Sequence, residues 1–324
     1  MSSSTDARRA RAFLQHAAEP TSPVLARYVA EVGPVEAAHH VSERTAPADV
    51  LTETRLGANW MRAEAGLRTA AELGARFVIP EDDEWPAGIV GGLRTLAADD
   101  DTLGGPPLGV WVHGEPRLND LASARSVAIV GARAATQYGE HHAAEFAYAL
   151  ASRDVAVWSG AAYGIDGAAH RGALATDRPA CTLAVLACGI DCGYPAGHVG
   201  LLKQIAASGA VVSEYPPGMP PARHRFLQRH RLLAAITRAT VVIEAGQRSG
   251  ARHAARVADK LGRPVLAVPG PVSSAASAGC HRLIQDGTAR LVTSADDVIA
   301  VIEDSEELEV DPEAAVPADV AGRS

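Results

Sequence analysis

From Val127 onward the chain repeats one pattern: a short continuous apolar run, a turn, then a helical segment. VAIVG leads to GEHHAAEFAYALASR, VAVWSG to IDGAAHRGALAT, CTLAVLAC to AGHVGLLKQIAASG and VVSEY to ARHRFLQRHRLLAAIT. ATVVIEAG precedes SGARHAARVADKLG, RPVLAVPG precedes SAGCHRLIQDG, and a last short LVTS leads into ADDVIAVI. Short, wholly apolar runs are strands buried on both faces. Alternating them with helices predicts an α/β protein with a doubly wound, mostly parallel sheet. Such a sheet places ligands at the carboxyl ends of its strands.

The residues before this series read differently. Residues 8–72 are rich in Ala, Leu, Arg and Glu and are broken at Pro20, Pro23, Pro34 and Pro47. Helices this short are marginal alone, so they should pack as a small bundle. ARFVIP and LGVWVHG are strand candidates, with a loop-rich stretch around Trp85-Pro86 between them. The expected organisation is a helical domain over 1–72, a sheet domain over 73–302 and an acidic, disordered tail over 303–324.

Composition sets the outer bounds. With 324 residues and 47% apolar content, about two domains and a sizeable core are expected, not a disordered or fibrous chain. No run reaches 18 apolar residues, so no membrane span is expected, and the N-terminal arginines precede no signal-like apolar stretch. Cys181, Cys188, Cys192 and Cys280 form neither a ladder nor a CxxC pair, which fits reduced thiols in a cytoplasm. Nor do they pair with His at ligand spacing, and His39-His40 and His141-His142 read as surface pairs, so no metal is assigned.

The net charge is −8, but it is unevenly spread. Residues 1–120 and 303–324 each carry −7, whereas 121–302 carry +6. Within 223–263 stand ten basic residues against only Glu244 and Asp259. Concentrated positive charge suits a phosphate-bearing partner; a solvated arginine-rich helix face would look the same. A further expectation is that the acidic tail folds back on the basic segment as an electrostatic competitor.

Four strand-to-helix turns carry candidate chemistry. In VAIVGARAATQYG, Gly131 permits close backbone approach and Arg133 can fork onto phosphate oxygens at a helix N-terminus. The turn is neither GxGxxG nor GxxxxGK[ST], so no dinucleotide or Walker fingerprint is present. In SGAAYGIDGAAH, Ser159 and Gly160 form a second phosphate-sized turn, and Asp166 stands four residues before His170, on the same helix face. A capping carboxylate with an orienting histidine is favoured there over acid–base catalysis, because no nucleophile accompanies them. Arg223, Arg225, Arg229 and Arg231 surround Phe226, a pattern suited to tracking phosphates while a ring stacks on a base; Phe226 as core is the competing reading. Arg248-Ser249-Gly250-Ala251-Arg252-His253, again between a strand and a helix, resembles a fourth, anion-binding turn with Ser249 and Gly250 as its donors. Several such turns along one sheet edge suit a polyanion better than a single nucleotide.

Taken in order, VAIVGARAATQYG, SGAAYGIDGAAHRGAL, LAVLACGIDCGYPAGH, SEYPPGMPP, FLQRHRLLAAIT, VVIEAGQRSGA and RPVLAVPGPVSSAASAGCHRLIQDGTARLVTS resemble the DNA-processing protein A (DprA/Smf) family. The resemblance is strong over 120–302 and weak over 8–118. It implies an extended Rossmann-like domain preceded by a small helical, SAM-like domain. It also implies sequence-independent binding of single-stranded DNA, homodimerisation and delivery of that DNA to RecA recombinase, as in natural transformation. No cofactor and no catalytic residue are implied. Gly131 and Arg133 match the family's GxR turn, and Ser159, Gly160, Gly164, Asp166 and His170 its SGxAxGIDxxAH segment. Phe226, Arg229 and Arg231 match F-P-x-R-N-R, and Ser249 and Gly250 the SGS/SGA turn. Tyr163, Leu227, His230 and Arg252 depart from the family pattern. A winged-helix-like domain is not expected after residue 302, where 22 acidic-rich residues remain. The alternative is a Rossmann-like nucleotide-binding protein or nucleoside-monophosphate N-glycosidase. That class carries a PGGxGT-type loop with a nearby Glu, where this chain has Glu244-Ala245-Gly246-Gln247-Arg248-Ser249-Gly250.

Overall fold

A computed structural model describes residues 2–99, 104–123 and 125–310. Five helices come first: α1 (Ser2–Ala17), α2 (Pro23–Val32), α3 (Pro34–Ser42), α4 (Ala48–Glu53) and α5 (Trp60–Glu72). The prolines act here as start signals. Pro23 and Pro34 open α2 and α3, where a missing N–H costs nothing, and Pro47 directly precedes α4. Ser22 caps α2 by accepting from Leu25 N at 3.1 Å, and Asn59 caps α5 by accepting from Arg62 N at 3.0 Å.

Next come β1 (Ala75–Val78), α6 (Ala87–Asp99), β2 (Val110–His113) and α7 (Leu118–Ser123). The loop-rich stretch expected between β1 and β2 contains α6. Three glycines, Gly88, Gly91 and Gly92, give AGIVGGLRTLAAD poor intrinsic helicity. Burial of Leu93 and Leu96 against the sheet overrides it.

The alternating series then follows: β3 (Ser126–Gly131), α8 (Gln137–Ala151), β4 (Ala156–Ser159), α9 (Ile165–Leu174), β5 (Thr182–Leu186), α10 (Val199–Ser208) and β6 (Ala210–Ser213). It continues with α11 (Arg225–Ile236), β7 (Ala239–Ile243), α12 (Gly250–Lys260), β8 (Val265–Ala267), α13 (Ala278–Gln285), β9 (Arg290–Leu291) and α14 (Ala295–Val310). The acidic segment expected to be disordered from 303 begins as helix, since α14 runs to Val310; residues 311–324 lie outside the described part.

The nine strands form one sheet in the order β1-β2-β6-β5-β4-β3-β7-β8-β9. From β6 to β9 all pairings are parallel; β1 with β2 and β2 with β6 are antiparallel. Chain progress reverses between β3 and β7, which opens a crevice at their carboxyl ends. Alternate residues of each strand feed opposite faces. Ala128 and Val130 of β3 join Trp158, Leu232 and Val242 on one face, while Val127 and Ile129 join Phe146, Leu150 and Val241 on the other.

The helical N-terminal region docks on the antiparallel edge. Phe13, Leu14 and Leu25 share a core with Trp111 and Ile205. The Trp111 indole donates to Gln15 Oε1 at 2.8 Å, and Gln15 Nε2 donates to Gly109 O at 2.6 Å. No helix among the described residues is long and apolar enough to cross a membrane.

Candidate functional site

The crevice is built from backbone that tolerates no extra atoms. A Cβ at Gly131, at the end of β3, would lie 2.0 Å from Ile243 O and 2.4 Å from Ile165 Cγ1. Ala132 N donates to Glu244 O at 2.9 Å, and Ile165 N donates to Ala132 O at 3.2 Å. The turns after β3, β4 and β7 are thereby locked together. Gly164 has φ +74°, and a Cβ there would come within 2.3 Å of Ala132 O. Glu244, also in the left-handed region at φ +56°, is held by its own side chain. Its carboxylate accepts from Thr136 N at 2.8 Å and from the Thr136 hydroxyl at 2.5 Å, at the start of α8. A carboxylate suits that helix N-terminus.

The Ser159-Gly160 end of the turn after β4 is engaged within the protein. Ser159, expected to help form a phosphate-sized turn, is fully buried and donates its hydroxyl to Ile129 O at 2.6 Å, which withdraws it from any ligand. The Gly160 carbonyl accepts from the Arg229 guanidinium. Asp166 Oδ2 accepts from Ala162 N and from Arg229 Nη2, each at 3.2 Å. Burial pushes the Asp166 carboxyl up, against the lowering effect of Arg229. His170 is buried and its Nδ1 lies 2.7 Å from Thr182 Oγ1. That hydroxyl donates to Val157 O at 2.8 Å, so Nδ1 must carry the imidazole proton. Burial pushes the His170 pKa down to about 3, leaving a neutral ring. The capping role expected of Asp166 is corrected here: α9 starts after Gly164 with no side-chain cap, and Asp166 instead holds Ala162 N and Arg229, while His170 is fixed to Thr182 at the start of β5.

The arginine cluster on α11 divides. Three of its members, expected to meet phosphate, are engaged inside the protein. Arg225 is buried and donates to Glu19 at 2.7 and 3.1 Å, tying α11 to the segment after α1. Arg229 is 5% exposed and holds Gly160 and Asp166. Arg231 is 1% exposed and pairs with buried Glu214 on the chain just after β6. Period 3.6 explains the division: successive α11 positions face the sheet, the N-terminal helices or solvent. Arg223, by contrast, is exposed just before α11.

What the crevice presents is a pocket of about 480 Å³ lined by Gly131, Arg133, Arg223, Phe226, Arg248, Ser249 and Gly250, among others. Arg133, Arg223 and Arg248 are exposed, and among the described residues none is in a salt bridge, although Arg133 feels the field of the Asp166 carboxyl at the pocket wall. The Arg133 guanidinium lies over the half-buried Phe226 ring, 4.1 Å from its centroid. Ser249 caps α12 by accepting from Ala251 N at 3.1 Å, and the N-terminus of α12 opens on the pocket. Arg248, the first residue of the fourth turn, stands just before Ser249-Gly250 much as Arg133 stands just after Gly131.

The departures from the family pattern also have places here. Leu227 is exposed at the pocket mouth. His230 is buried with its pKa pushed well down, so it adds no charge at neutral pH. Arg252 holds the Gln247 carbonyl at 2.6 Å and so braces the turn after β7. His141, His142 and Glu145 gather within 4.8 Å on exposed α8, at the ordinary spacing of helical surface pairs.

Fold and site together define a Rossmann-like α/β protein with an arginine-lined crevice at its topological switch point. Residues 76–303 match the DNA recombination-mediator protein A family, and the chain belongs to that family. It is 51% identical over 294 residues to the putative DNA processing protein DprA of Mycobacterium tuberculosis, covering 91% of this chain and 75% of that one. It is also similar to the X-ray structure of DprA from Streptococcus pneumoniae, with TM-score 0.65 and 28% identity over 85% of this chain and 90% of the other. A Helicobacter pylori DNA processing protein A structure, described for its single-stranded DNA binding mode, matches with TM-score 0.56 and 28% identity over 63% of this chain and 91% of that one.

Proposed function

We propose that the crevice binds single-stranded DNA without sequence preference and that the chain delivers this DNA to RecA recombinase. The observation that carries the reading is the convergence of Arg133, Arg223 and Arg248, all exposed and outside any salt bridge among the described residues, around Phe226 and the α12 N-terminus. The cations meet phosphates, the Ser249-Gly250 turn adds backbone donors, and a ring beside them meets a base. Gly131 and Gly160 allow the tight turns. Ser159, Arg225, Arg229 and Arg231 hold the crevice in shape. The single-stranded DNA binding ascribed to the Helicobacter protein supports the reading. Homodimerisation and a role in transformation, which the family resemblance implies, and a cytoplasmic setting, which the unpaired cysteines suggest, belong to the same proposal.

The N-glycosidase alternative would require an available carboxylate at the turn after β7. Glu244, the only acidic residue there, is engaged in the α8 cap.

Fluorescence anisotropy with a labelled dT oligonucleotide, single- against double-stranded at two salt concentrations, tests the proposal. Salt-sensitive preference for the single strand is the expected result. Absence of binding to either form overturns it.

A further inference from the structure

The three groups against the Phe226 ring, Arg133, Tyr194 and the buried Arg229 at 5.4 Å, bear on where a base can stack. Arg133 lies over the ring at 4.1 Å, and the Tyr194 ring leans against it with centroids 5.6 Å apart at 54°. Phe226 is thus partly covered by its own protein. Tyr194 is 39% exposed and Tyr163 is 50% exposed, two of only three exposed tyrosines among the described residues. The segments bearing these two meet: the Gly197 N–H donates to the Tyr163 hydroxyl at 3.2 Å, three residues beyond Tyr194. Tyr163 also rests edge-on against the His198 ring, with centroids 4.8 Å apart, and His198 Nδ1 is fixed to Ala161 O at 3.0 Å. Both tyrosines are therefore propped from behind while substantial area of each stays in water. An exposed ring braced in this way gives up little entropy when a flat partner lands on it. Their neighbours Ala162 and Phe226 line the arginine pocket.

We infer that Tyr194 and Tyr163 present the base-stacking faces of this site, with Phe226 as the backing that positions Arg133 and Tyr194. The inference rests on the proposed binding of single-stranded DNA. Phosphates sit with Arg133, Arg223 and Arg248, and the strand's bases turn toward the loops after β4 and β5. Duplex bases, already stacked on one another, cannot use these rings. Stacking is indifferent to base identity, as sequence-independent binding requires.

The test compares a dT oligonucleotide with an abasic oligonucleotide of equal length, so that the phosphates are kept and the bases removed. The parent should bind dT more tightly than the abasic strand. Tyr194→Ala and Tyr163→Ala should each weaken dT binding by about fivefold or more. Abasic binding and the salt slope should stay unchanged. Tyr194→Phe should retain parental affinity. Thermal melts check folding, and Tyr194→Leu, which keeps apolar bulk without a ring, replaces the alanine variant if that one does not fold. Equal losses on both strands, or no loss on dT, would overturn the inference. A parent that binds dT and abasic strands equally overturns it while leaving phosphate-driven binding intact. A parent that binds neither removes the underlying proposal as well.

Discussion

Arg133 and Phe226 are 93 residues apart in sequence, yet the guanidinium of one lies 4.1 Å from the ring centroid of the other. This contact joins the turn after β3 to the first turn of α11. It orients a long cation that would otherwise sample many rotamers. Phe226→Ala should therefore act twice, by releasing Arg133 and by removing the backing of Tyr194. Single-stranded DNA binding should weaken by about fivefold or more, as for loss of one positioned stacking ring. Parental affinity in the variant would show that the contact serves packing alone.

Salt dependence should count the exposed cations. Single-stranded binding loses about 0.7 in log–log slope per phosphate neutralised, so three arginines predict a slope near −2. Arg248→Ala should reduce the slope by about 0.7 and leave the melting temperature unmoved. A flat response in the parent would remove the phosphate roles of Arg133, Arg223 and Arg248.

The pair Arg231 and Glu214 makes the opposite prediction. Both side chains are buried, and burial pushes the Glu214 pKa up to about 7. Removing Arg231 leaves Glu214 a buried carboxyl without its cation, which must stay charged at high cost or take up a proton and lose its hydrogen-bond partner, so Arg231→Ala should cost up to about 3–5 kcal/mol in denaturant unfolding. Replacing both by apolar residues of similar volume should recover much of that loss. Among molecules still folded, the salt slope of DNA binding should match the parent, which separates a shape-holding arginine from a phosphate-binding one.

His170 predicts a pH dependence. Its folded pKa, about 3, lies below the ordinary 6.5, so the unfolded chain takes up the proton first. Its contribution to stability is complete above about 6.5 and is lost as pH falls toward 3. His170→Asn keeps a donor for Thr182 but cannot titrate. Unfolding measured at neutral pH and near pH 4.5 should show a shallower acid loss in the variant. Parallel pH profiles would mean that the imidazole is not held neutral.

Much of the architecture was legible in the chain because burial writes itself into periodicity. The runs VAIVG, VAVWS and ATVVI can only be strands covered on both faces, and they became β3, β4 and β7. Helix α6 was not legible, since its three glycines speak against a helix and only packing against the sheet speaks for one. The candidate site divides along the same line. Gly131, Arg133, Ser249 and Gly250 were found because strand-to-helix turns announce themselves locally.

The sequence by itself determined the parallel α/β class, the turns at the sheet's carboxyl edge and the concentration of positive charge in 223–263. Only the tertiary structure decided which of those charges face water. Arg225 finds Glu19 across 206 residues, Arg229 finds Asp166 across 63, and Arg231 finds Glu214 across 17. An arginine is drawn inward only where a distant carboxylate or carbonyl awaits it, because a buried charge without such a partner is too costly. That partner is set by strand order and helix docking, which no local pattern encodes. The same long-range geometry left Arg133, Arg223 and Arg248 in solvent and brought them around one ring.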